Sequence, residues 1–409
     1  MTPKNPRILV ISSSFPLHQS DIRGIFIGEL VKNLSTKKFE IIVLTPHLLG
    51  SPFYEDQDGI IIYRFPYFFP FKLQKLCGQG GMYFGFSNSF LGKIQVIPYI
   101  FIMFFYAFFI IQKKRVSIIH SHWIIPQGFV GAVIRRMINI PHILSVHGTD
   151  IHLINSKKLL KSLFRFVGMN TDLITTNSTH TDLLVQKCLS SAASNTFVIP
   201  MGINIPDFLN NRKSSSDNCR KEILYVGRLI FWKGVQILIE AFSQILKTQY
   251  DCILIIVGDG PIKGDLEELA YNLHISSSVS FLGNISQKDL NYRYSKANVF
   301  VLPSINYMEQ TEGLGVVLLE AMASGVPVIG SNIGGIPDII EDGVNGLLVS
   351  PGDPQGLADA IIQILENPEL AARFREAGLK TVRDRFSWDK ISDQFIEVYQ
   401  EVLHESNEV

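Results

Sequence analysis

Two glutamates, Glu312 and Glu320, flank the segment of this sequence that is best suited to hold a phosphorylated ligand. Three residues between them form a glycine-containing loop at the start of a helical pattern: Gly313, Leu314 and Gly315. Glycine lets a ligand approach the backbone closely, and the N–H groups and dipole of a helix N-terminus attract anions. The pattern predicts that a diphosphate binds at this loop.

Glu320 is an unusual residue for its position, since its neighbours on the predicted helix are almost all apolar. A buried carboxylate is costly unless it is paired or hydrogen-bonded. We therefore interpret Glu320 as the acceptor for ribose hydroxyl groups, with Glu312 facing a sugar across the loop. The alternative is a helix glutamate that reaches solvent or pairs with a lysine. The glycines and the spacing between the two glutamates favour the ligand interpretation.

Two cations lie at an earlier strand-to-helix turn. Arg228 follows Gly227 at the end of an apolar run, and Lys233 lies at the entry to a helical pattern. An arginine binds a diphosphate through two parallel hydrogen bonds, and a lysine binds it as a point charge. Both would stabilise the negative charge that grows on a leaving diphosphate. The alternative is a pair of solvated surface cations.

The next apolar run ends in the turn Gly258-Asp259-Gly260-Pro261. Gly258 and Gly260 could admit a nucleotide base against the backbone, although such a sequence is also a common tight turn. These elements all follow predicted strands. Open parallel sheets bind ligands at the carboxyl ends of their strands, so the turns are expected at one edge of a sheet.

The elements that must position these residues are parallel strands joined by crossover helices, which places the chain in the α/β class. We predict one doubly wound sheet from strands at Ile8–Ser13, Glu40–Thr45, Ile60–Phe65, Ser117–His122, His142–His147, Asp172–Thr176 and Thr196–Ile199. A second sheet is predicted from strands at Ile223–Val226, Cys252–Val257, Val279–Leu282, Val299–Leu302, Pro327–Ile329 and Gly346–Val349. At 409 residues the chain exceeds what one core usually serves, so two domains are expected.

Local signals support the helices and the boundary between the domains. Apolar residues at helical spacing predict a first helix that lays one stripe on its sheet: Ile27, Leu30, Val31 and Leu34. Asp353 is a suitable N-cap before Pro354, and Gly325 follows a helix that ends near Ala323. The polar stretch between Asn204 and Glu222 is the predicted linker.

Composition limits the function classes. Formal net charge is zero and the pI is about 7.1, so no global basic field exists to attract nucleic acid. The four cysteines lie far apart with no metal-ligand spacing, which favours a reducing compartment. A strand-like run begins at Ile8 and leaves no room for the apolar region of a signal peptide, so we expect a cytoplasmic protein.

One segment complicates that expectation. Val96–Ile111 contains 16 residues without a charge, followed by Lys113, Lys114 and Arg115. A transmembrane helix needs about 20 apolar residues, so the run is short of a span. It is either a helix packed in the first domain or an in-plane membrane contact whose basic cluster meets anionic lipid.

Arg228 with Lys233, the Gly-Asp-Gly-Pro turn and the pair Glu312 and Glu320, in this order, resemble the retaining family 4 glycosyltransferases of GT-B fold. The resemblance implies two Rossmann-like domains: an acceptor-side domain at 1–203, a nucleotide-sugar domain at 204–385, and a C-terminal helix at 386–409 that returns to the first domain. It also implies a UDP- or GDP-linked sugar donor, a saccharide or lipid-linked acceptor, and retention at the anomeric carbon.

The resemblance extends to the first domain. Asp21-Ile22-Arg23-Gly24-Ile25 is similar to the family's glycine-bearing loop, with one glycine where many members have two. His147-Gly148-Thr149-Asp150 resembles the family's His-Gly-x-Asp, whose histidine lies beside the transferred sugar. The resemblance thus implies catalytic roles for His147, Arg228, Lys233 and Glu312, with Gly24, Asp150, Gly227 and Glu320 in the substrate site.

His120-Ser121-His122-Trp123 with Pro126-Gln127-Gly128 resembles a subgroup that acts in bacterial exopolysaccharide and lipopolysaccharide assembly. His120 and His122 would share one face of a strand, where packing or acceptor contact is favoured over metal ligation. Asp56-Gln57-Asp58 imitates a metal-binding D-x-D and is interpreted as a turn. We expect no required metal or other cofactor.

The resemblance implies that the acceptor hydroxyl attacks on the face that the diphosphate leaves, and that the leaving phosphate serves as base. Other interpretations stay open. A non-catalytic sugar-nucleotide binder could keep the same fold, and so could a phosphorylase or a sugar-nucleotide epimerase.

Overall fold

The first half of the chain folds around an eight-stranded sheet in the order β3-β4-β2-β1-β5-β6-β7-β8. The computed structural model describes residues 5–18, 21, 23–37, 39–77, 81–148, 150–151, 154, 158–189, 195–205, 220–308 and 310–408. The strands of the first sheet are β1 (Arg7–Ile11), β2 (Glu40–Pro46), β3 (Tyr54–Gln57), β4 (Ile60–Phe65), β5 (Ile118–His122), β6 (His142–Val146), β7 (Leu173–Thr176) and β8 (Asn195–Val198). All neighbours are parallel except β3 and β4.

The strands in the middle of this sheet are apolar on both faces because helices cover both faces. Every residue of β5 and β6 is buried. The helices of this half are α1 (Ile25–Ser35), α2 (Gly81–Asn88), α3 (Phe90–Lys114), α4 (Phe129–Ile138), α5 (Lys158–Met169) and α6 (Thr179–Leu189). The predicted stripe of α1 is confirmed, since Ile27, Leu30, Val31 and Leu34 are all buried.

The second half forms a six-stranded, wholly parallel sheet in the order β11-β10-β9-β12-β13-β14. Its strands are β9 (Lys221–Val226), β10 (Cys252–Val257), β11 (Val279–Gly283), β12 (Val299–Leu302), β13 (Val328–Ser331) and β14 (Leu347–Val349). Its helices are α7 (Val235–Lys247), α8 (Lys263–Asn272), α9 (Gln287–Lys296), α10 (Val316–Ala323), α11 (Ile336–Ile339), α12 (Pro354–Glu366) and α13 (Pro368–Thr381). One continuous apolar core joins this sheet to its helices.

The chain divides into two compact units, one of Met1–Pro200 with Ile391–Val409 and the other of Met201–Lys390. The last helix, α14 (Trp388–Glu408), belongs to the first unit from Ile391 onward. Its Tyr399 is fully buried and contacts the ring of Phe39. Most of the predicted linker, residues 206–219, lies outside the described residues.

The predicted strands are confirmed to within two residues at their ends, and β3 is an addition. The interpretation of Asp56-Gln57-Asp58 as a turn is wrong for its first two residues. Asp56 and Gln57 pair with β4 in an antiparallel hairpin, and only Asp58 and Gly59, both with positive φ, form the turn. An Asp-Gly pair is the usual sequence of such a two-residue hairpin turn.

The helix signals of the second half are also confirmed. The Asp353 side chain accepts a hydrogen bond from the Gly356 N–H and so caps α12, which begins at Pro354. Gly325 follows the end of α10 with φ of 70°. These caps fix where the helices begin and end, and α10 begins between the two glutamates and carries Glu320.

Candidate active site

The order of strands in the second sheet reverses at β9, which lies between β10 and β12. The chain runs outward in one direction through β10 and β11 and in the other through β12 to β14. The loops that follow β9 and β12 therefore diverge and leave a crevice at the carboxyl edge of the sheet, where ligands bind in folds of this kind. The predicted phosphate-binding residues follow these two strands and β10.

Lys233 and Glu312 meet at this edge. Lys233 Nζ lies 2.5 Å from Glu312 Oε2, and both side chains are largely buried. The Ser304 hydroxyl donates a second hydrogen bond to the same oxygen over 3.1 Å. The loop after β9 and the loop after β12 are thus joined by a charged contact. Both residues were predicted site residues, but their pairing was not predicted.

Arg228 differs from Lys233 in its surroundings. Its side chain is exposed, and among the described residues the guanidinium forms no ion pair. The backbone carbonyl of Arg228 accepts a hydrogen bond from the Tyr225 hydroxyl, which fixes the direction of the chain as it leaves β9. A cation held at the end of a central strand with its donors uncommitted can bind an anionic ligand.

The glycines after β9 and β10 are needed because the two loops pack backbone against backbone. A Cβ atom on Gly258 would lie 1.9 Å from the carbonyl oxygen of Gly227, and one on Gly260 would lie 2.2 Å from that of Leu229. Three backbone hydrogen bonds join the loops: Gly227 N–H donates to the Val257 carbonyl, Leu229 N–H to the Asp259 carbonyl, and Ile262 N–H to the Leu229 carbonyl. These glycines therefore have a packing role that holds Arg228 in place, whether or not a base lies against them.

The loop before α10 presents backbone rather than side chains. Gly315 has φ of 91° and is the N-cap of the helix, a conformation that favours glycine. The Leu314 side chain is 2% exposed and belongs to the apolar core, so only its main chain can face a ligand. The Glu312 carbonyl accepts a hydrogen bond from Gly335 N–H, which fastens Gly313 and the rest of this loop to the start of α11.

Glu320 accepts a hydrogen bond from the hydroxyl of Tyr294 over 2.8 Å. Tyr294 lies on α9 and is fully buried. Burial raises the pKa of Glu320 to about 7, although the tyrosine hydrogen bond acts in the opposite direction. Its Oε1 accepts no hydrogen bond from the described residues, so one carboxylate oxygen is available to a ligand hydroxyl. Tyr294 has no local sequence signal as a site residue, because it lies 26 residues earlier on another helix.

In the first unit, His147 lies at the end of β6 among aromatic rings. Its Nε2 is 3.0 Å from Nδ1 of His122, and the two rings are stacked with an interplanar angle of 8°. Trp123 and Phe26 also contact the ring of His147, with centroids 5.3 and 5.0 Å away. Burial lowers the pKa of His147 to about 3, so the imidazole is neutral at physiological pH. Its Nδ1 has no partner among the described residues.

Asp150 holds the loop that carries His147. Its carboxylate oxygens accept hydrogen bonds from the N–H groups of Ile124, His147 and Ile151 at 3.1 to 3.2 Å. Burial raises the pKa of Asp150 to about 6 despite these bonds. The side chain is committed to the backbone, which makes Asp150 a positioning residue for His147. Thr149, between them in the motif, lies outside the described residues.

Gly24 is the N-cap of α1 with φ of 64°, and a Cβ there would lie 2.5 Å from the carbonyl oxygen of Ser14. The glycine is therefore required by the contact between the loop after β1 and the start of α1. Phe26, two residues later, brings this loop to the ring of His147. Ile22 in the same motif lies outside the described residues.

His120 is a packing residue, as sequence analysis favoured. It is fully buried, and its two ring nitrogens bond the hydroxyls of Tyr399 and Ser145. Burial lowers its pKa to about 3. Within the part of the chain that the structure describes, no group of three His, Cys, Asp or Glu side chains is arranged to hold a metal ion.

The structure thus brings Lys233 and Glu312 into contact and packs Gly258 against Gly227. Gly313 and Gly315 lie in the loop at the start of α10, and Glu320 lies on the helix. It places Gly24, His147 and Asp150 around a second cluster in the first unit. His122, Ser304 and Tyr294 are the additional residues. Of these, only His122 had a sequence signal, as one of two histidines on the same face of β5.

Comparison with known proteins agrees with these features. The family described as "Glycosyltransferase Family 4" matches residues 24–206, and "Glycosyl transferases group 1" matches residues 207–381. The N-acetyl-alpha-D-glucosaminyl L-malate synthase of Bacillus anthracis is 31% identical over 303 residues, covering 72% of this chain and 77% of that protein.

Two solved structures share the architecture. Sucrose-phosphate synthase from Thermosynechococcus elongatus superposes with a TM-score of 0.76 and 23% identity, over 98% of this chain and 100% of that one. The Anabaena protein HepE, in complex with UDP and glucose, has a TM-score of 0.69 and 19% identity, over 97% of this chain and 100% of that one. The family matches and the two parallel-sheet units show that this chain belongs to the family 4 glycosyltransferases and is a transferase of the GT-B fold.

Proposed function

We propose that this glycosyltransferase moves a sugar from a UDP- or GDP-linked donor to an acceptor hydroxyl with retention of the anomeric configuration. The observation that carries the proposal is the contact of Lys233 with Glu312 beside the exposed Arg228, at the point where the order of the second sheet reverses. The complex of the similarly folded Anabaena protein with UDP and glucose supports a donor of this class.

Arg228 and Lys233 would bind the diphosphate and stabilise its charge as the glycosidic bond breaks. A diphosphate beside Lys233 would share the ammonium group with Glu312, since the lysine carries three donors and Glu312 accepts only one of them. The N–H groups at the start of α10 would contribute the positive end of a helix dipole. Preorganised charges of this kind need no rearrangement as the leaving group departs.

The two glutamates would have different tasks. Glu320 would accept a ribose hydroxyl through Oε1, because Tyr294 already binds Oε2. Glu312 would lie beside the sugar and position Lys233. Neither is proposed as a covalent nucleophile. The acceptor hydroxyl would attack on the face that the diphosphate leaves, and the leaving phosphate oxygen would take its proton.

His147 would position the transferred sugar. Its Nε2 is bonded to His122, which leaves Nδ1 as the nitrogen that can reach a sugar hydroxyl. A neutral imidazole can donate through one nitrogen and accept through the other, so His122 sets which nitrogen of His147 carries the proton. No metal ion is needed in this scheme, and activity should persist in the presence of EDTA.

The acceptor would be a saccharide or a lipid-linked sugar of bacterial surface polysaccharide or glycolipid synthesis, and the protein would act in the cytoplasm or at the inner face of the plasma membrane. Incubation with a panel of nucleotide sugars, followed by detection of UDP or GDP, tests the donor. NMR of the anomeric proton in the product then tests retention. Release of free sugar phosphate would instead indicate phosphorolysis.

Arg228→Ala and Lys233→Ala should each lower turnover by about 100-fold or more, the usual effect of removing one transition-state donor. Lys263→Ala is a matched control, because Lys263 is a cation on α8 whose only ion pair among the described residues is a long contact of 3.8 Å with Glu267. Near-normal turnover in both site variants would remove them from the mechanism.

A further inference from the structure

Helix α3 carries an exposed apolar stripe along its whole length. Its residues repeat at helical spacing and are each between 49% and 80% exposed: Phe90, Ile94, Ile97, Phe101, Phe105 and Phe109. From Phe90 to Phe109 the stripe is about 28 Å long, at the rise of an α-helix. Four phenylalanines in one exposed row exceed the scattered apolar residues of an ordinary surface and indicate an interaction site.

The opposite face of α3 is fixed in the first unit. Tyr99, Met103 and Ala107 are fully buried and pack in the core with residues of β1, β2 and β4. The Gln95 side chain accepts hydrogen bonds from Lys75 and Leu76 N–H and donates one to the Leu73 carbonyl.

This anchoring decides the orientation of the helix. By length and composition α3 is the one described helix that could cross a membrane. In its most apolar stretch of 18 residues, about a third is buried inside the protein. If it crossed, the parallel sheet and its polar contacts would enter the hydrocarbon with it, where exposed polar backbone is not tolerated. The stripe can therefore contact a bilayer only from the side, with the helix axis in the plane of the surface.

The charge around the stripe identifies its partner as anionic. The 91 residues from Gly59 to Thr149 contain nine lysines and arginines and no aspartate or glutamate, in a chain of zero net charge. Two of the nine, Arg64 and Arg135, are paired with carboxylates from outside this stretch. Lys93 is exposed near the start of α3, and Lys113 and Arg115 are exposed at its end. Lys113 Nζ lies 5.2 Å from the centroid of the Phe109 ring, so a cation extends directly from the apolar stripe.

We propose that the exposed face of α3 docks this enzyme in the plane of an anionic lipid bilayer. Phenylalanine side chains would enter the boundary between headgroups and acyl chains, and the basic residues at both ends would meet anionic headgroups. A second copy of this chain fits the surface less well. Stripe-to-stripe packing would bring the exposed cations Lys93, Lys113 and Arg115 of two copies into one interface, and like charges in an interface are unfavourable.

Flotation of the full-length protein with vesicles tests the proposal. Binding should be strong to phosphatidylcholine mixed with phosphatidylglycerol, weak to phosphatidylcholine alone, and reduced by added salt. The double variant Phe101→Gln, Phe105→Gln should reduce partitioning by about tenfold or more, since two aromatic side chains that would insert into the bilayer are lost. The control Leu183→Gln, Tyr271→Gln changes two residues that are 65% and 72% exposed elsewhere and should bind as the parent does.

A tryptophan scan separates the in-plane orientation from a crossing one. Ile94→Trp, Phe101→Trp and Phe109→Trp, each corrected for the parent chain, should be quenched by brominated lipid to a similar, shallow depth. A crossing helix would place the indole of the Phe101→Trp variant deep in the bilayer and the indoles of the other two variants near the interfaces, and that result would overturn the proposal. So would equal binding to both vesicle types, or vesicle-independent dimers that Phe101→Gln, Phe105→Gln dissociates.

The test does not depend on the proposed reaction. Failure of vesicle binding would leave the donor and the retaining mechanism untouched. Conversely, protein that releases neither UDP nor GDP from any sugar of the donor panel but still binds anionic vesicles through α3 would contradict the proposed donor class and support the docking surface.

Discussion

Replacing Glu320 with glutamine should stabilise the protein at pH 8 and have little effect on stability at pH 4.5. The reason is the burial that raises the pKa of this carboxyl from its ordinary value of 4.5 to about 7. Below pH 4.5 the group is protonated in both folded and unfolded chains. Between pH 4.5 and 7 the folded chain holds a proton that the unfolded chain has lost, so stability falls as pH rises.

The magnitude follows from the two pKa values. At about 1.4 kcal/mol per pKa unit, the ionised Glu320 costs the folded state at most about 3.5 kcal/mol above pH 7. Glutamine has no ionised form, and its side-chain carbonyl can still accept the hydrogen bond from Tyr294. For a unit of this size, that difference corresponds to a rise in melting temperature of up to about 10 °C at pH 8.

Thermal denaturation followed by circular dichroism from pH 4.5 to pH 8 measures the effect. Glu268→Gln, an exposed glutamate on α8, is the matched control and should show no such pH-dependent gain. The same glutamine variant should bind the nucleoside diphosphate more weakly if Glu320 holds the ribose. A Glu320→Gln protein that is less stable than the parent at pH 8, or whose gain does not depend on pH, would refute the reasoning.

Three further predictions concern other parts of the site. Leu314→Ala should lower the free energy of unfolding by about 2 to 5 kcal/mol in urea titrations, because the side chain is a core residue; a loss of ligand affinity at unchanged stability would contradict this. Gly258→Ala should destabilise the protein strongly, since its Cβ would meet the Gly227 carbonyl oxygen at 1.9 Å. The control Gly264→Ala should be well tolerated, because a Cβ at Gly264 meets nothing within 4 Å. Similar melting temperatures for the two variants would show that the loops separate easily. His122→Phe keeps a ring beside His147 but removes its hydrogen bond, and should lower turnover about tenfold while leaving the affinity for UDP alone unchanged. A parallel loss of UDP affinity, measured by calorimetry, would mean that His122 supports the fold rather than the sugar.

The sequence predicted the two sheets well because parallel strands buried on both faces are continuous apolar runs. It did not predict β3, whose residues Tyr54–Gln57 are mostly polar and exposed and pair on one side only. The turn residues Asp58 and Gly59 were the available signal.

The candidate site was predicted in its residues more than in its contacts. The glycines and charges at strand ends are local signals, so Lys233 and Glu312 could both be chosen. Their ion pair joins loops 79 residues apart, and the hydrogen bond from Tyr294 to Glu320 depends on the packing of two helices. Such partners are set by tertiary structure, which a single sequence does not display. Leu314 was predicted to bind the ligand because it lies in the loop between the two glutamates, but its side chain is an ordinary core residue.

The return of α14 to the first unit has a consequence for synthesis on the ribosome. The second unit, Met201–Lys390, is continuous in the chain, but the first unit lacks part of its core until Ile391–Val409 has been made. Until then His120 lacks the Tyr399 hydroxyl that bonds its buried ring, and Phe39 lacks the ring it packs against. Domains usually fold in the order of synthesis. Here the domain that begins first is completed last, so a stop codon ahead of Phe395, which would remove the buried Tyr399, would damage the N-terminal half of the enzyme rather than the C-terminal half.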